Sequence, residues 1–314
     1  MTKILIRRLW QAGFVAWSVG TLTFILMRLL PGDFAYRIAA GRYGYDYVNQ
    51  AAAEAVRVEL GLDKSALSQY FDWLINLVQF DLGNSLVSSN PVTQELYHQL
   101  GHTFQLAIFA TAFSLIIAIP IGLYIGKNSG KVGDKVSLFI SVLLRAHPVF
   151  VIGLFLILIF SLHFQLLPVA GFGSSEYVIL PAIALALSMA AMSNRIIRNS
   201  TVEVVNSSFY RFARFKGLNA KQAFEHHAQP NIALPVVAFV GIQSVSLIEG
   251  VVMVESLFSW PGIGHALAHA IFSRDVPMIQ GAALVMGLVF VGINTLVDCA
   301  TYLLDPRQRD GELL

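Results

Sequence analysis

Charged residues are scarce in this sequence. Only 13% of its 314 residues are Asp, Glu, Lys or Arg, whereas about a quarter are charged in soluble domains. Apolar residues make up 56% of the chain, and the mean hydropathy is +0.65. This charged fraction is too low for the surface of an ordinary water-soluble protein. The composition therefore indicates a chain that lies in a lipid bilayer.

Cysteine and catalytic motifs are also nearly absent. Cys299 is the single cysteine, which excludes an intrachain disulfide and a cysteine metal cluster. The nearest approach to a phosphate-binding loop is "IGKN" at Ile125–Asn128, which lacks the first Gly and the Ser or Thr after Lys. Neither His-Glu-x-x-His nor Gly-x-Ser-x-Gly occurs. We therefore expect no enzyme and no cofactor in this chain, and the net charge of +2 predicts no nucleic-acid partner.

Long apolar runs are what the sequence has instead. A hydrocarbon core of about 30 Å requires about 20 apolar residues for each helical crossing. The sequence predicts an all-α polytopic membrane protein with six transmembrane helices near Leu9–Leu30, Phe104–Gly126, Val136–Leu162, Tyr177–Arg198, Ile232–Val254 and Met278–Leu304.

The distribution of Lys and Arg predicts the orientation of these spans. With the N-terminus inside, fourteen of the 21 basic residues lie in cytoplasmic segments and five in external ones. Because cytoplasmic loops carry the excess of positive charge, we expect both termini in the cytoplasm. The predicted organisation is an N-terminal span (1–30), an external cap (31–103), a membrane core (104–304) that contains a cytoplasmic loop (199–231), and a cytoplasmic tail (305–314).

The cytoplasmic loop carries the longest polar stretch of the second half. Gly217 is expected to end a first helix in a left-handed cap, and Asn219 to begin a second, with Gln222 at capping-box spacing. A pair of helices lying on the bilayer surface is the alternative interpretation. The apolar stripe of the first helix can pack on the ends of the spans. This helix is predicted from apolar residues at three- and four-residue steps, namely Val202, Val205, Phe209, Phe212 and Phe215.

Ionisable residues inside the predicted spans are candidates for a transport pathway, because charge at that depth is costly. They are Arg145, His147, Glu249 and Asp298. Arg145 and Glu249 either form an internal ion pair or line a cavity and select charged groups on the cargo. For Asp298, a structural hydrogen bond is the alternative to substrate contact.

Two pairs of histidines stand four residues apart. His98 and His102 precede the second predicted span, and His265 and His269 precede the sixth. Such pairs lie on one face of a helix, so each is a weak candidate for metal contact. Solvated or packed histidines are the alternative, and we expect no resident metal.

The order and spacing of eight short motifs carry a family resemblance. The chain resembles the permease subunits of ATP-binding-cassette importers, of the dipeptide, oligopeptide and nickel class. The motifs are "LPGD" (Leu30–Asp33), "ELGLD" (Glu59–Asp63), "DLGNSL" (Asp81–Leu86), "LLPVAG" (Leu166–Gly171), "ARFKGL" (Ala213–Leu218), "FSWPGIG" (Phe258–Gly264), "RDVPMIQ" (Arg274–Gln280) and "DPR" (Asp305–Arg307).

This resemblance implies the type I importer permease fold and a set of partners. These are a homologous second permease, two ATPase subunits that hold ATP and Mg, an external solute-binding protein, and the lipid bilayer of a bacterial inner membrane. The cytoplasmic loop would then contain a coupling helix that docks on an ATPase subunit. Arg211 stands where many importers have Glu, and Pro230 where a basic residue is common, so salt bridges of other importers are not carried over.

The resemblance also assigns roles to residues. The coupling residues are Arg211, Ala213, Arg214, Lys216, Gly217, Leu218, Asn219 and Lys221, and the candidates for contact with the binding protein are Asp81, Gly83, Trp260, Pro261 and Gly262. Short peptides are the expected cargo, with nickel or a metal chelate as the alternative. An ion-coupled carrier, with Arg145, Glu249 and Asp298 as a relay, is the alternative from another class.

Overall fold

A computed structural model describes residues 2–29, 32–44, 48–59, 65–79 and 81–304. The chain is 83% helical, and its described part contains no strand, only an isolated bridge between Asn84 and Pro91. The all-α prediction is therefore confirmed. The predicted tail (305–314) lies outside the described residues.

Five single helices in the described part are long and apolar enough to cross a membrane. Each coincides with a predicted span, and all five extend beyond it at one end or both. They are α1 (Thr2–Leu29), α5 (Val92–Lys127), α8 (Ile179–Asn206), α11 (Gln229–Leu257) and α13 (Val276–Leu304).

The remaining predicted span, Val136–Leu162, is not one continuous helix. It consists of α6 (Val132–Ala146) and α7 (Val149–Leu156), which continues as a π-helix through His163, and the two halves meet at 103°. Pro148 causes the break, because it lacks an N–H and forces the residue before it out of the helical region. His147 accordingly has φ −104° and ψ 139°. Counted as one broken span, the pair brings the total to six.

Shorter helices occupy the connections. Before α5 lie α2 (Phe34–Tyr43), α3 (Gln50–Glu59) and α4 (Ala66–Val78), in the segment predicted as a cap. Between α8 and α11 lie α9 (Ser208–Phe215), α10 (Ala220–Ala223) and a π-turn (Phe224–Ala228), and α12 (Ile263–Ser273) precedes α13.

The chain divides into two compact units. The first contains Phe104–Trp260 and the residues from Gly292 onward, and the second contains Thr2–Thr103 and Pro261–Val291. Residues 261–291, which we assigned to the membrane core, therefore pack with the segment predicted as N-terminal span and cap. Their partners explain why, since Asp275, which is buried, accepts hydrogen bonds from Ser85 Oγ and, at 3.0 Å, from the Leu86 N–H.

Helix α8 is at the centre of the first unit. In the most apolar part of this helix 56% of the residues are buried, more than in the other four single-helix spans. It packs against α6, α7 and α11. Small side chains allow this close approach in a membrane, where helices associate by packing rather than by the hydrophobic effect. The buried small residues of α8 are Ala182, Ala184, Ala186, Ala190 and Ala191.

Two glycines let α5 approach α8. Gly122 and Gly126 form a Gly-x-x-x-Gly pair. A Cβ added to Gly122 would lie 2.8 Å from Ile197 Cβ, and one added to Gly126 would lie 2.4 Å from Thr201 Cβ. Both distances are too short for carbon atoms, so the two helices touch through their backbones here. Gly126 belongs to the "IGKN" stretch, which therefore has a packing role.

We expect Gly126→Ala to destabilise the protein by about 1 to 3 kcal/mol, because the added methyl must displace Thr201. Gly101→Ala in the same helix is the matched control. A Cβ at Gly101 meets nothing within 4 Å, so Ala there is expected to stabilise by up to about 1 kcal/mol through helix propensity. Thermal unfolding of the two variants in detergent tests the difference, and equal shifts would contradict the packing role.

Candidate functional site

A cavity of about 510 Å³ lies at the break between α6 and α7, within the first unit. Four helices form its walls, and its volume falls in the range of small-molecule sites. Because irregular backbone at membrane depth is tolerated where it lines a cavity, the break and the cavity belong together. The lining residues are Arg145, Ala146, His147, Pro148, Val149, Leu185, Ser188, Met189, Gln243, Ser246, Leu247 and Gly250.

The far wall of the cavity is fixed by hydrogen bonds between α8 and α11. Gln243, the central residue of α11, is buried; its Nε2 donates to the Met189 carbonyl at 2.6 Å, and its Oε1 accepts from Ser193 Oγ at 2.7 Å. Gly250 also brings α11 close, since a Cβ there would lie 3.2 Å from Leu185 and 3.6 Å from Val149. These contacts hold the wall rigid, so Gln243 is a satisfied group rather than an open donor.

Two of the four predicted pathway residues line this cavity. Arg145 and His147 are both exposed there, and His147 Nδ1 donates to the Leu143 carbonyl at 2.8 Å. Arg145 makes no hydrogen bond or ion pair with any side chain that the structure describes. Asp298 is half-buried in α13 and does not line the cavity. The side chain of Glu249 lies outside the described residues, so its predicted pairing with Arg145 stays a prediction.

A partly buried ionic cluster joins α6 to α8. Arg198 donates to both carboxylate oxygens of Asp134, with Nε 3.1 Å from Oδ1, and Arg195 Nη1 lies 3.5 Å from the same oxygen. The Gly130 N–H also donates to Asp134, at 3.0 Å. Sequence reasoning counted both arginines only as loop charges. The spacing of Arg195 and Arg198, three apart on one helix, was the available signal.

The loop between α8 and α11 differs from its prediction at Ser207. Instead of one amphipathic helix over 202–215, α8 ends at Asn206, and Ser207 is extended with φ −67° and ψ 153°. The Ser207 hydroxyl accepts from the Tyr210 N–H and so caps the new helix α9. A serine that can cap competes with helix continuation, which is why the helix restarts here.

The turn after α9 follows the prediction. Gly217 has φ +94°, and a Cβ there would meet nothing within 4 Å, so the backbone conformation alone requires glycine. Arg214 Nη1 donates to the Leu218 carbonyl at 2.9 Å and braces this turn. Asn219 caps α10 in a capping box with Gln222. Both predicted caps are confirmed.

The apolar stripe of α9 is exposed, which corrects our expectation that it packs on the ends of the spans. Phe209, Phe212 and Phe215 are 45%, 60% and 88% exposed. The buried face of α9 is instead formed by Ala213, with Tyr210 packed against Val204, Ala228 and Ile232 of the neighbouring helices. The basic residues of the loop, namely Arg211, Arg214, Lys216 and Lys221, are exposed as predicted.

The histidine pairs occupy the second unit. The rings of His265 and His269 on α12 have centroids 4.5 Å apart, and burial, with a smaller effect of His269, lowers the pKa of His265. A neutral imidazole is the form that binds metal. His98 is exposed at the start of α5. In the described residues no three His, Cys, Asp or Glu side chains come together as a metal site.

The predicted binding-protein contacts differ in accessibility. Asp81 is exposed and accepts from the Gly83 N–H at 2.8 Å, which holds the loop before α5. Trp260 is only 2% exposed and stacks edge-on against Phe172, so in this conformation its indole supports the loop from within. Gly262 is also buried and Pro261 is half-buried. A partner could reach Asp81 directly, but not the indole of Trp260.

Apolar spans, a broken helix with a polar cavity and an exposed basic loop are features typical of a membrane transport subunit. Comparison with sequence families agrees: residues 118–310 match the family described as "Binding-protein-dependent transport system inner membrane component", and residues 1–107 match its N-terminal companion. The chain belongs to this family of importer permeases, which transport rather than catalyse.

Curated relatives are similar along nearly the whole chain. Two proteins named "Nickel import system permease protein NikB", from Staphylococcus aureus strains bovine RF122 / ET3-1 and USA300, are each 37% identical over 307 residues, which is 98% of this chain and 92% of theirs. A solved structure titled "Crystal structure of an amino acid ABC transporter with histidines" shares the fold, with a TM-score of 0.54 and 18% identity over 67% of this chain and 94% of that one.

We expect Asp134→Ala to destabilise the protein by about 3 kcal/mol, because two guanidinium groups would lose their shared carboxylate in a partly buried site. Asp72→Ala, at an exposed position of α4, is the control and should change stability by less than about 0.5 kcal/mol. Thermal unfolding in detergent measures both. A loss at Asp134 no larger than at Asp72 would show that the cluster does not hold α6 on α8.

Proposed function

We propose that this chain forms one half of the translocation pathway of an ATP-driven importer whose cargo is nickel, as the free or chelated ion. The exposed loop between α8 and α11 carries this proposal. Three phenylalanines at helical spacing and four basic side chains are presented to water, and an apolar patch rimmed by charge is typical of a protein-docking surface.

The loop is connected directly to two of the helices that line the cavity. Helix α8 leads into α9 at Ser207, and the π-turn after α10 leads directly into α11. Since α8 and α11 form two walls of the cavity, a force applied to α9 is transmitted to the cavity through continuous helices. Nucleotide-driven closure of an ATPase subunit on the phenylalanine stripe would thereby move the pathway between outward- and inward-facing arrangements.

The proposal includes the partners and the membrane orientation expected from the sequence. ATP and Mg would be held by two ATPase subunits on the cytoplasmic side, where the loop and both termini would lie. A homologous permease would complete the pathway. A solute-binding protein would dock on the opposite side of the bacterial inner membrane, on the cap near Asp81 and on the loop around Pro261.

Nickel is preferred because relatives at 37% identity over 98% of the chain carry that name. His265 and His269 are the described side chains best suited to touch a passing metal ion. Short peptides remain the second candidate, since a cavity of about 510 Å³ accommodates a dipeptide as well as a chelate.

Replacing Phe212 and Phe215 together by Ala should release the ATPase subunits, because side chains at the centre of an interface carry most of its binding energy. We expect ATP-dependent uptake by the reconstituted complex to fall about tenfold or more. Gly217→Pro and Arg214→Glu should act likewise, since proline cannot adopt φ +94° and Arg214 braces the turn.

Phe71→Ala, at a phenylalanine that is 56% exposed on α4, is the matched control and should keep the ATPase subunits bound during purification. Retention of the ATPase subunits by the Phe212/Phe215 variant would contradict the docking role. Uptake against a gradient by this chain alone in proteoliposomes, driven by protons or sodium, would instead establish the ion-coupled carrier.

The cargo is tested by uptake into proteoliposomes that contain the complete complex and its binding protein. We expect saturable, ATP-dependent uptake of radioactive nickel that a thousandfold excess of dialanine does not inhibit. His265→Ala combined with His269→Ala should lower nickel uptake at limiting concentration, because each imidazole can contribute a ligand. Uptake of labelled dialanine without uptake of nickel would replace nickel by the peptide candidate.

A further inference from the structure

We propose that the cavity between α6, α7, α8 and α11 binds an anionic group of the cargo, of the carboxylate class, through Arg145. This inference deepens the proposed function, because it takes the cavity to be part of the transport pathway. It names the chemical group that the pathway recognises, whichever cargo carries it.

The state of Arg145 is the first observation. Its guanidinium is always charged, it lies at the end of α6 within an apolar span, and no described side chain pairs with it. By contrast, Arg195 and Arg198 of α8 share the carboxylate of Asp134 on α6. A guanidinium that opens on a cavity without such a partner is set up to receive an anion from outside the chain.

Two hydroxyl groups of the cavity can also donate to an anion. The hydroxyls of Ser188 and Ser246 line it and make no hydrogen bond to a described group, so each has an O–H to offer. His147 donates its Nδ1–H to the Leu143 carbonyl, so in the neutral ring Nε2 is an acceptor and His147 is not counted among the donors. Among the described side chains that line the cavity, Arg145 carries a permanent positive charge and none is a carboxylate.

The helix break adds to this positive charge. Pro148 and Val149, the N-cap and first residue of α7, line the cavity, so the positive end of the α7 dipole lies there. Free N–H groups at a helix start favour anions. Proline produces the break, so an anion in the cavity would meet Arg145 from α6 and the first amides of α7.

The position of the cavity suits a pathway rather than a surface site. Gln243 at its wall is the central residue of α11, so the cavity lies about midway along a span. Its volume of about 510 Å³ exceeds what a single ion needs. A bare divalent cation would be repelled by Arg145. Nickel would therefore pass as a complex with a carboxylate-bearing chelator, and a peptide would be held by its C-terminal carboxylate.

Charge-selective labelling tests this inference directly. In a Cys299→Ser background, Ser246→Cys places a thiol in the cavity of the full chain within its complex. Its rates of reaction with the anionic methanethiosulfonate ethylsulfonate and the cationic methanethiosulfonate ethyltrimethylammonium are compared. We expect the ratio of anionic to cationic rates to fall about tenfold on Arg145→Gln and to persist on Arg145→Lys, because a local positive charge concentrates anions.

Ser174→Cys is the matched control, since Ser174 is exposed in the same unit but does not line the cavity. The ratio of anionic to cationic rates at Ser174→Cys should be the same with Arg145 present and after Arg145→Gln. An unchanged ratio at Ser246→Cys, or failure of both reagents to reach it, would overturn the anion site. Because the labelling needs no ATP, it can fail while ATP-driven uptake succeeds, and the proposed function would then stand without the inference.

Protection distinguishes the sources of the anion. Dialanine, dialanine amide and nickel citrate are added at 10 mM before labelling of Ser246→Cys. Protection by dialanine but not by its amide supports a peptide carboxylate, and protection by nickel citrate alone supports a chelate; either must disappear with Arg145→Gln. Equal protection by dialanine and its amide, or no protection by any of the three, would contradict recognition of a carboxylate.

Discussion

Pro148 imposes the constraint on which the transport machinery depends. A proline within a span removes one backbone donor and forces His147 into an extended conformation, so the helix turns by 103° between α6 and α7. The backbone groups exposed by such a break cannot face lipid. They must be covered by α8 and α11 or open on a polar space, and the structure has both. The cavity is thus a consequence of the break rather than a separate feature.

The charged residues of α6 in this unit have two different roles. Asp134 receives Arg195 and Arg198, and this cluster ties α6 to the central helix α8. Arg145 stands later on the same helix α6 and opens on the cavity instead. The charges near the start of α6 are neutralised within the chain, whereas Arg145, beside the break, has no partner among the described side chains and faces the cavity. The same chemistry therefore serves packing at one end of α6 and recognition at the other.

The loop between α8 and α11 shows how far local rules reach. Gly217, Asn219 and Gln222 adopt the caps predicted from their identities, because a left-handed glycine and a capping box involve only neighbouring residues. The direction of the phenylalanine stripe was predicted wrongly. Periodicity shows that a helix has an apolar face and a polar face, but it does not show which face the rest of the protein covers. In the structure the side of α9 that carries Ala213 is buried, and the phenylalanines are exposed.

The sequence by itself determined the helical membrane class, the family and the positions of five spans, since length, apolarity and motif order are local properties. It also located the caps of the loop. Only the tertiary structure decided the rest: the break at Pro148 as the site of a cavity, the shared carboxylate of Asp134, and the contact of Asp275 with Ser85. These depend on residues 50 to 190 positions apart, and no spacing rule brings such residues together before the helices have packed.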